Sequence, residues 1–398
     1  MQNIINKEEN PITEEKMLLY YLGIGKKDDK VPNIGQLTAS DWEKLIQKAK
    51  QRRVAAILFY NLSQNGEISL IPKEVKFDLR KNYLAVLAKN MNIYKELAKL
   101  LRRLNDEKIP VIVLKGAALA ELVYENIALR PMLDVDLIAK SSDIKRINQI
   151  FLELNWQNQE YLSQSGFHEE YSKHASYSNG KVLVEIHPRI YEFPKLDPWL
   201  NAISAKICSN DTYILGKEDF LLYLCLHLEE HYRTGFEVNL IWYIDIAKFL
   251  EHYQEDINWD YLIKKSKELK ADGIIRSILH EISQNFNGSI SDHILNQFGA
   301  NQSNLDIENV FSPISNPIKY FNALMSEISG PKNATIKNRA FIIFRNIFPY
   351  KAYMVRKYDI KNQKFFYLYY FVRVFKGIKK FFDGIYHLPR YLNRKKIN

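Results

Sequence analysis

Asp134 and Asp136 stand one residue apart inside the apolar stretch "RPMLDVDLIAK". In an extended strand, residues i and i+2 face the same side, so these two carboxylates project together. Carboxylates a few ångströms apart repel, and one takes up a proton unless a cation sits between them. A divalent magnesium ion suits that place, because it favours carboxylate oxygens in combination with substrate phosphates. Glu185, in "VLVEIHP", lies on a second expected strand between Val184 and Ile186. Three carboxylates on adjacent strands could hold two metal ions for in-line displacement at phosphorus. The competing reading is a sheet edge with solvated acids, which is the commoner source of an isolated Asp-x-Asp. His187 follows Glu185 by two residues, so it shares that strand face and could reach the same substrate.

Strands must carry these acids, and the surrounding sequence supplies them. "PVIVLKG" is a short β-branched run that reads as a buried strand ending at Gly116, followed by the helix formers "AALAELVYEN". "LDVDLIA" reads as a second strand and "SSDIKRINQIFLELNW" as a helix opened by serines. In "HASYSNGKVLVEIHP" two alternating runs flank Asn179-Gly180, a hairpin signal in which both turn residues are expected at positive φ. Residues 109 to 190 therefore read as a compact α/β unit with mixed strands.

Helices are expected on both sides. From Thr13 to Asp106 the apolar spacing is helical, with a capping box at Ser40 and Glu43 and a long helix opening at Pro72. The expected stripe of that long helix is Leu84, Leu87, Met91, Ile93, Leu97, Leu100 and Leu101. From Lys217, "KEDFLLYLCLHLEEHYR" and "VNLIWYIDIAKFLEHY" are again helical, and residues 298 to 317 are polar and turn-rich. The fold class expected is α+β, a small mixed-sheet core flanked by helical regions. The boundaries expected are 1–107 helical, 108–215 the α/β core, 216–330 helical and 331–398 a basic aromatic region.

The order strand, glycine turn, helix, Asp-x-Asp strand and third acid resembles the DNA polymerase beta-like nucleotidyltransferases. More narrowly, the chain resembles a family of uncharacterised bacterial nucleotidyltransferases with the pattern L-K-G, Tyr, Arg, then D-x-D-hydrophobic. It meets that pattern at Leu114-Lys115-Gly116, Tyr124, Arg130 and Asp134-Val135-Asp136-Leu137. "VLVEIHPRI" is similar to the family's third-acid segment, and His231, Trp242 and Asp245 fall in the order of its helical part. The resemblance covers roughly residues 13 to 260.

The resemblance implies transfer of a nucleoside monophosphate from a nucleoside triphosphate to a hydroxyl acceptor, with release of pyrophosphate. It implies two Mg2+ ions, with Mn2+ as the alternative, on Asp134, Asp136 and Glu185. Glu185 would help deprotonate the attacking hydroxyl. Backbone at Gly116 would approach the phosphates, and Lys115 and Arg130 would neutralise their charge; the competing readings are a solvated strand-end charge for Lys115 and a helix C-terminal charge or a salt bridge for Arg130. Apart from the resemblance, His187 by its strand face and His231 by its helix are candidate substrate contacts, with a purely structural histidine as the competing reading. The acceptor, a small molecule, protein or RNA, is left open. One departure stands out: Gly116-Ala117 occupies the turn where better-known members of the superfamily carry Gly-Gly or Gly-Ser.

Other signals carry less. "HLEEH" at His227 to His231 fits an inverted zinc-protease pattern, but no third ligand or matching context follows. Asp245 reads either as a residue pointing into the cleft or, preferably, as a member of a local polar network. Only two cysteines occur, Cys208 and Cys225, which suits a reducing compartment. No apolar run reaches the roughly 18 residues of a spanning helix, and the polar start does not read as a secretion signal, so a cytoplasmic location is expected.

The net charge of +10 is unevenly placed. From Pro331 to Asn398 there are 17 Lys+Arg against two Asp, so the first 330 residues carry a net −5. Between Phe341 and Tyr391 there are 17 aromatics. Residues 340–398 can therefore be read as a helical packing layer, as a nucleic-acid surface, or as a peripheral contact with an anionic membrane. A non-catalytic nucleotide-, RNA- or membrane-binding module working through this tail is the alternative to an enzyme.

Overall fold

A computed structural model of the chain describes residues 14–24, 34–158, 175–190, 195–234, 238–286 and 290–300. It also describes residues 363–376 and scattered positions between 344 and 360. The turn-rich stretch expected at 298–317 lies, from residue 301 onward, outside the described residues, as do residues 377–398 of the tail.

Four helices form the N-terminal layer: α1 (Glu14–Tyr21), α2 (Ala39–Gln51), α3 (Ala55–Gln64) and α4 (Lys73–Asp106). The capping box of α2 is not Ser40 with Glu43. Thr38 is the N-cap, its hydroxyl accepts from the Asp41 N–H, and the Asp41 side chain accepts from the Thr38 N–H. Aspartate at the third helical position closes the same reciprocal pair that glutamate usually closes. Pro72 caps α4 from just outside the helix. Along α4, Ile93, Leu97, Leu100 and Leu101 are buried as expected, joined by Leu79 and Leu104, whereas Leu84 and Met91 are exposed. At about 100° per residue, Met91 lies roughly 200° round the helix from Ile93, on the opposite face.

Among the described residues one seven-stranded mixed sheet runs in the order β3-β4-β5-β2-β1-β7-β6. Its strands are β1 (Val111–Val113), β2 (Val135–Ala139), β3 (Gln157–Asn158), β4 (Ala175–Ser178), β5 (Leu183–His187), β6 (Ile203–Ile207) and β7 (Asn210–Ile214). β1 pairs antiparallel with β2 and parallel with β7, and β2 pairs parallel with β5. β2 is buried along its whole length, which explains its near-continuous apolar sequence. The β6–β7 hairpin extends the sheet beyond residue 190, past the strands expected from the sequence.

Two turns differ from expectation. β1 ends at Val113, and α5 (Lys115–Leu122) starts at once, with Lys115 rather than glycine in the left-handed region at φ 46°. In the β4–β5 connection only Gly180 has positive φ, at 82°. The Asn179 side chain instead accepts from the N–H groups of Lys181 and Val182, so asparagine shapes the turn through its amide rather than its backbone.

α6 (Ile144–Glu153) crosses back after β2, and α7 (Lys217–Thr234), α8 (Leu240–Tyr253), α9 (Trp259–Glu268) and α10 (Asp272–Asn285) complete the C-terminal helical layer. A continuous hydrophobic core runs from Met17 to Phe298 and includes both helical layers and the sheet. Among the described residues no helix is long and apolar enough to cross a membrane.

The position of the α2 cap is testable. Thr38→Ala should cost about 0.5–2 kcal/mol in urea unfolding, while Ser40→Ala should leave the midpoint nearly unchanged.

Candidate active site

The site is made by strand register. β2 and β5 run parallel with Asp136 opposite Glu185 and Ile138 opposite His187. Alternation then puts Asp136, Glu185 and His187 on one face of the sheet. The Asp136 carboxylate is buried, and its Oδ1 accepts from Lys115 Nζ at 2.9 Å and lies 2.9 Å from His187 Nε2. His187 Nε2 is 3.8 Å from Glu185 Oε2. One donor atom each from Asp136, Glu185 and His187 falls within 4.8 Å of the others, the only such metal-capable cluster among the described residues. Asp134 sits just before β2, half-buried and outside that cluster.

Lys115 reaches Asp136 because the β1–α5 junction lies beside β2, where the Leu114 N–H donates to the Asp136 carbonyl at 3.0 Å. The lysine thus arrives from a neighbouring strand end, not from a solvated surface.

The three acids are driven apart in acidity. Burial alone would raise the Asp136 carboxyl, but the Lys115 ammonium and the His187 hydrogen bond overcome it and hold Asp136 well below the usual carboxylate range. Glu185 is pushed up to about 7 by burial and by the charges of Asp136 and Asp134. Asp134 is also raised, by burial and then by Asp136, against the opposing charges of Lys115, Arg130 and Arg53. Lys89 of α4 feels Asp134 as well, so the N-terminal helical layer brings Arg53 and Lys89 to bear on the acids. Neither cation stands out in the sequence: Lys89 falls on a basic helix surface, and Arg53, at φ 60°, in the turn between α2 and α3.

Arg130 is placed differently from its expected role. Its guanidinium is buried and bound to Asp245, with Nε 2.7 and 3.0 Å from the two carboxylate oxygens and Nη2 at 2.8 Å from Oδ2. Its Nη1 donates to the Pro131 carbonyl at 2.6 Å, and Tyr124 donates its hydroxyl to Asp245 Oδ1 at 2.8 Å. The charge expected to face a triphosphate is therefore already matched by Asp245, which confirms Asp245 in a polar network. Gly116 has a packing reason of its own. A Cβ there would come within 3.0 Å of Met132 Cγ and 3.1 Å of Arg130 Nη1, so the missing side chain makes room for the guanidinium against α5. Asn90, buried on α4, donates to the Arg130 carbonyl at 2.9 Å and fixes the approach to β2.

His231 lies on α7 in a ring cluster with His227 and Trp242, its centroid 4.5 Å from His227 and 4.3 Å from Trp242. His227 is buried and its imidazole held well below its usual value by burial, by Lys115 and by His231. It therefore stands neutral within electrostatic reach of the Lys115–Asp136 pair. The i, i+4 spacing that resembled a zinc motif makes an aromatic ring contact instead.

A family model described as an uncharacterised nucleotidyltransferase matches residues 38–287 of the chain. No curated protein matches. Among solved structures, the solution structure of the antibiotic-resistance factor ANT(2'')-Ia is similar at 14% identity and a TM-score of 0.33, over 46% of this chain and 90% of that one. An antigenic nucleotidyltransferase-like protein from Paracoccidioides brasiliensis is similar at 15% identity and a TM-score of 0.30, over 46% of this chain and 92% of that one. Likenesses of this strength say nothing about what the chain acts on.

Two measurements check this geometry. Arg130→Met should destabilise by about 3–5 kcal/mol in chemical unfolding, because Asp245 is left as an unmatched buried charge; adding Asp245→Leu should recover much of that loss. Glu185 is raised above its unfolded value, so its stabilising contribution is fully present below pH 4.5 and lost as pH rises through about 7. In metal-free buffer, Glu185→Gln should therefore melt with the parent near pH 4.5 and above it at pH 8.

Proposed function

This chain belongs to the uncharacterised nucleotidyltransferase family, and from that premise we propose that it moves a nucleoside monophosphate from a nucleoside triphosphate to a hydroxyl acceptor, releasing pyrophosphate. The observation that carries the proposal is the parallel register that sets Asp136 beside Glu185 with His187 on the same face.

Asp136, Glu185 and His187 would hold a divalent cation, with Asp134 adding negative charge at the edge of the site. Two carboxylates and an imidazole fit such an ion. The nitrogen donor shifts the set away from the all-oxygen shell that Mg2+ favours and makes Mn2+ at least as suitable. Bound there, the cation would supply Lewis-acid polarisation of the phosphoryl group.

The chain's own residues would do the rest. Lys115, held 2.9 Å from Asp136, would offset triphosphate charge, aided by Arg53 and Lys89 from the helical layer. The first-turn N–H groups of α5 around Gly116 point where an anion is favoured. Glu185, which burial and the neighbouring carboxylates push up to about 7 in the metal-free protein, would help deprotonate the attacking hydroxyl from its place beside the cation. His231, in its ring cluster with His227 and Trp242, would line the approach of the substrate. Arg130 would act indirectly, fixing α5 and the entry to β2 through Asp245 and Tyr124.

The test is incubation with each of the four labelled ribonucleoside triphosphates, with Mg2+ or Mn2+, in the presence of cell extract. Pyrophosphate release and label transfer should fall by about 100-fold or more in Asp136→Asn and Glu185→Gln. Undiminished activity in both variants, or none in the parent under every condition, would overturn the assignment.

A further inference from the structure

The C-terminal region contains a helix at 368–376, preceded by a turn of 3₁₀ helix at Gln363–Phe365. Its two faces have different surroundings. On one, Tyr370 packs edge-on to Phe348 at 5.5 Å and Tyr369 packs on Tyr358 at 5.5 Å. Lys376 lies over the Tyr358 ring on that same side. The helix is thus anchored to the chain's own aromatics by Tyr369, Tyr370 and Lys376.

The other face carries Leu368, Phe371, Val372 and Phe375 at spacings of three, one and three residues, which align along one stripe of an α-helix. All four are exposed, Phe371 to 72% and Phe375 to 76%. Phe365 and Tyr367, just before the helix, are exposed too. An apolar stripe of this kind, continuous and rimmed by charge, marks an interaction surface. Exposed Lys364 flanks it at the N-terminal end, Lys376 follows Phe375 at the other end with its ammonium over the Tyr358 ring, and the region from Pro331 onward carries 17 Lys+Arg against two Asp.

We propose that the 368–376 helix docks this protein on an anionic lipid surface, with Leu368, Phe371, Val372 and Phe375 entering the interface, Lys364 meeting the headgroups and the net positive charge of the C-terminal sequence favouring the approach. A helix lying in the membrane plane needs this combination, one apolar face and a basic surround. The stripe also distinguishes lipid from nucleic acid. Single-stranded nucleic acid is gripped by rings used as stacking platforms. Here aliphatic Leu368 and Val372 alternate with the phenylalanines, while Tyr369 and Tyr370 are turned inward onto other rings. The juxtaposition suits hydrocarbon.

The experiment is co-sedimentation of the full chain with phosphatidylcholine vesicles, with and without about one third phosphatidylglycerol. Binding is expected on the anionic vesicles only, weakening as salt is raised. The double variant Phe371→Ser, Phe375→Ser should bind on the order of tenfold more weakly. Both positions point away from the packed face, so its urea unfolding curve should match the parent's. Lys364→Glu, at another exposed position, should lower affinity for the anionic vesicles by about fivefold or more. Three results would overturn the proposal: binding indifferent to phosphatidylglycerol, double-variant binding equal to the parent's, or a stripe needed instead for RNA binding or self-association without vesicles.

Discussion

Asp136 is a carboxylate on the central, fully buried strand of the sheet, and the site is arranged around keeping it charged there. An unpaired carboxylate in that position would take up a proton, because desolvation disfavours its anion. Two partners prevent this, and they come from different elements. Lys115 arrives from the β1–α5 junction and His187 from the end of β5. The ion pair therefore depends on both neighbours of β2 being in register. A slip of one residue between β2 and β5 would turn Glu185 and His187 to the opposite face and leave Asp136 with Lys115 alone.

A second buried pair holds that register from behind. Arg130 and Asp245 join the segment leading into β2 to helix α8, and Tyr124 adds a hydrogen bond from the end of the α5 region. Asn90 ties the same segment to α4. In this way the N-terminal layer, the sheet and the C-terminal layer meet within a few residues of the acids. A continuous core through all three regions agrees with that convergence. Gly116 is the steric condition for it, since any side chain there would press on the Arg130 guanidinium.

How much of this was legible in the sequence follows from the range of each interaction. Asp134 falls just outside β2 and outside the cluster, and β1 stops at Val113 rather than at Gly116, but Asp136, Glu185 and their strands were readable, because strand alternation and β-branched runs are local signals. So was the side-by-side placement of Asp136 and Glu185, given that their strands pair. The partner of Arg130 was not, since Asp245 lies 115 residues further on and nothing local distinguishes a buried ion pair from a substrate-facing charge. His187 was read as a substrate contact, but its place within the cluster depends on the parallel register, which a sequence does not state. The β6–β7 hairpin was overlooked although "ISAKICSNDTYI" alternates, because its exposed edge strand is only weakly apolar. The cap at Thr38 was displaced by two residues, an ordinary consequence of several Ser, Thr and Asp standing close together at one helix start.

The acids of the site also differ in the work their environment allows. Lys115 and His187 lock Asp136 into its ionised form, so it can act as a permanent anionic ligand but not as a base near neutral pH. Glu185, across the same register, has burial and two neighbouring carboxylates against it, which push its carboxyl up to about 7 in the metal-free protein. The same charges produce both results: Lys115 is closer to Asp136, and the resulting anion then raises Glu185. Pairs of titratable groups pushed in opposite directions divide acid–base roles between them. Removing Lys115 would accordingly alter both acids, raising Asp136 directly and loosening the contrast with Glu185, without touching either side chain.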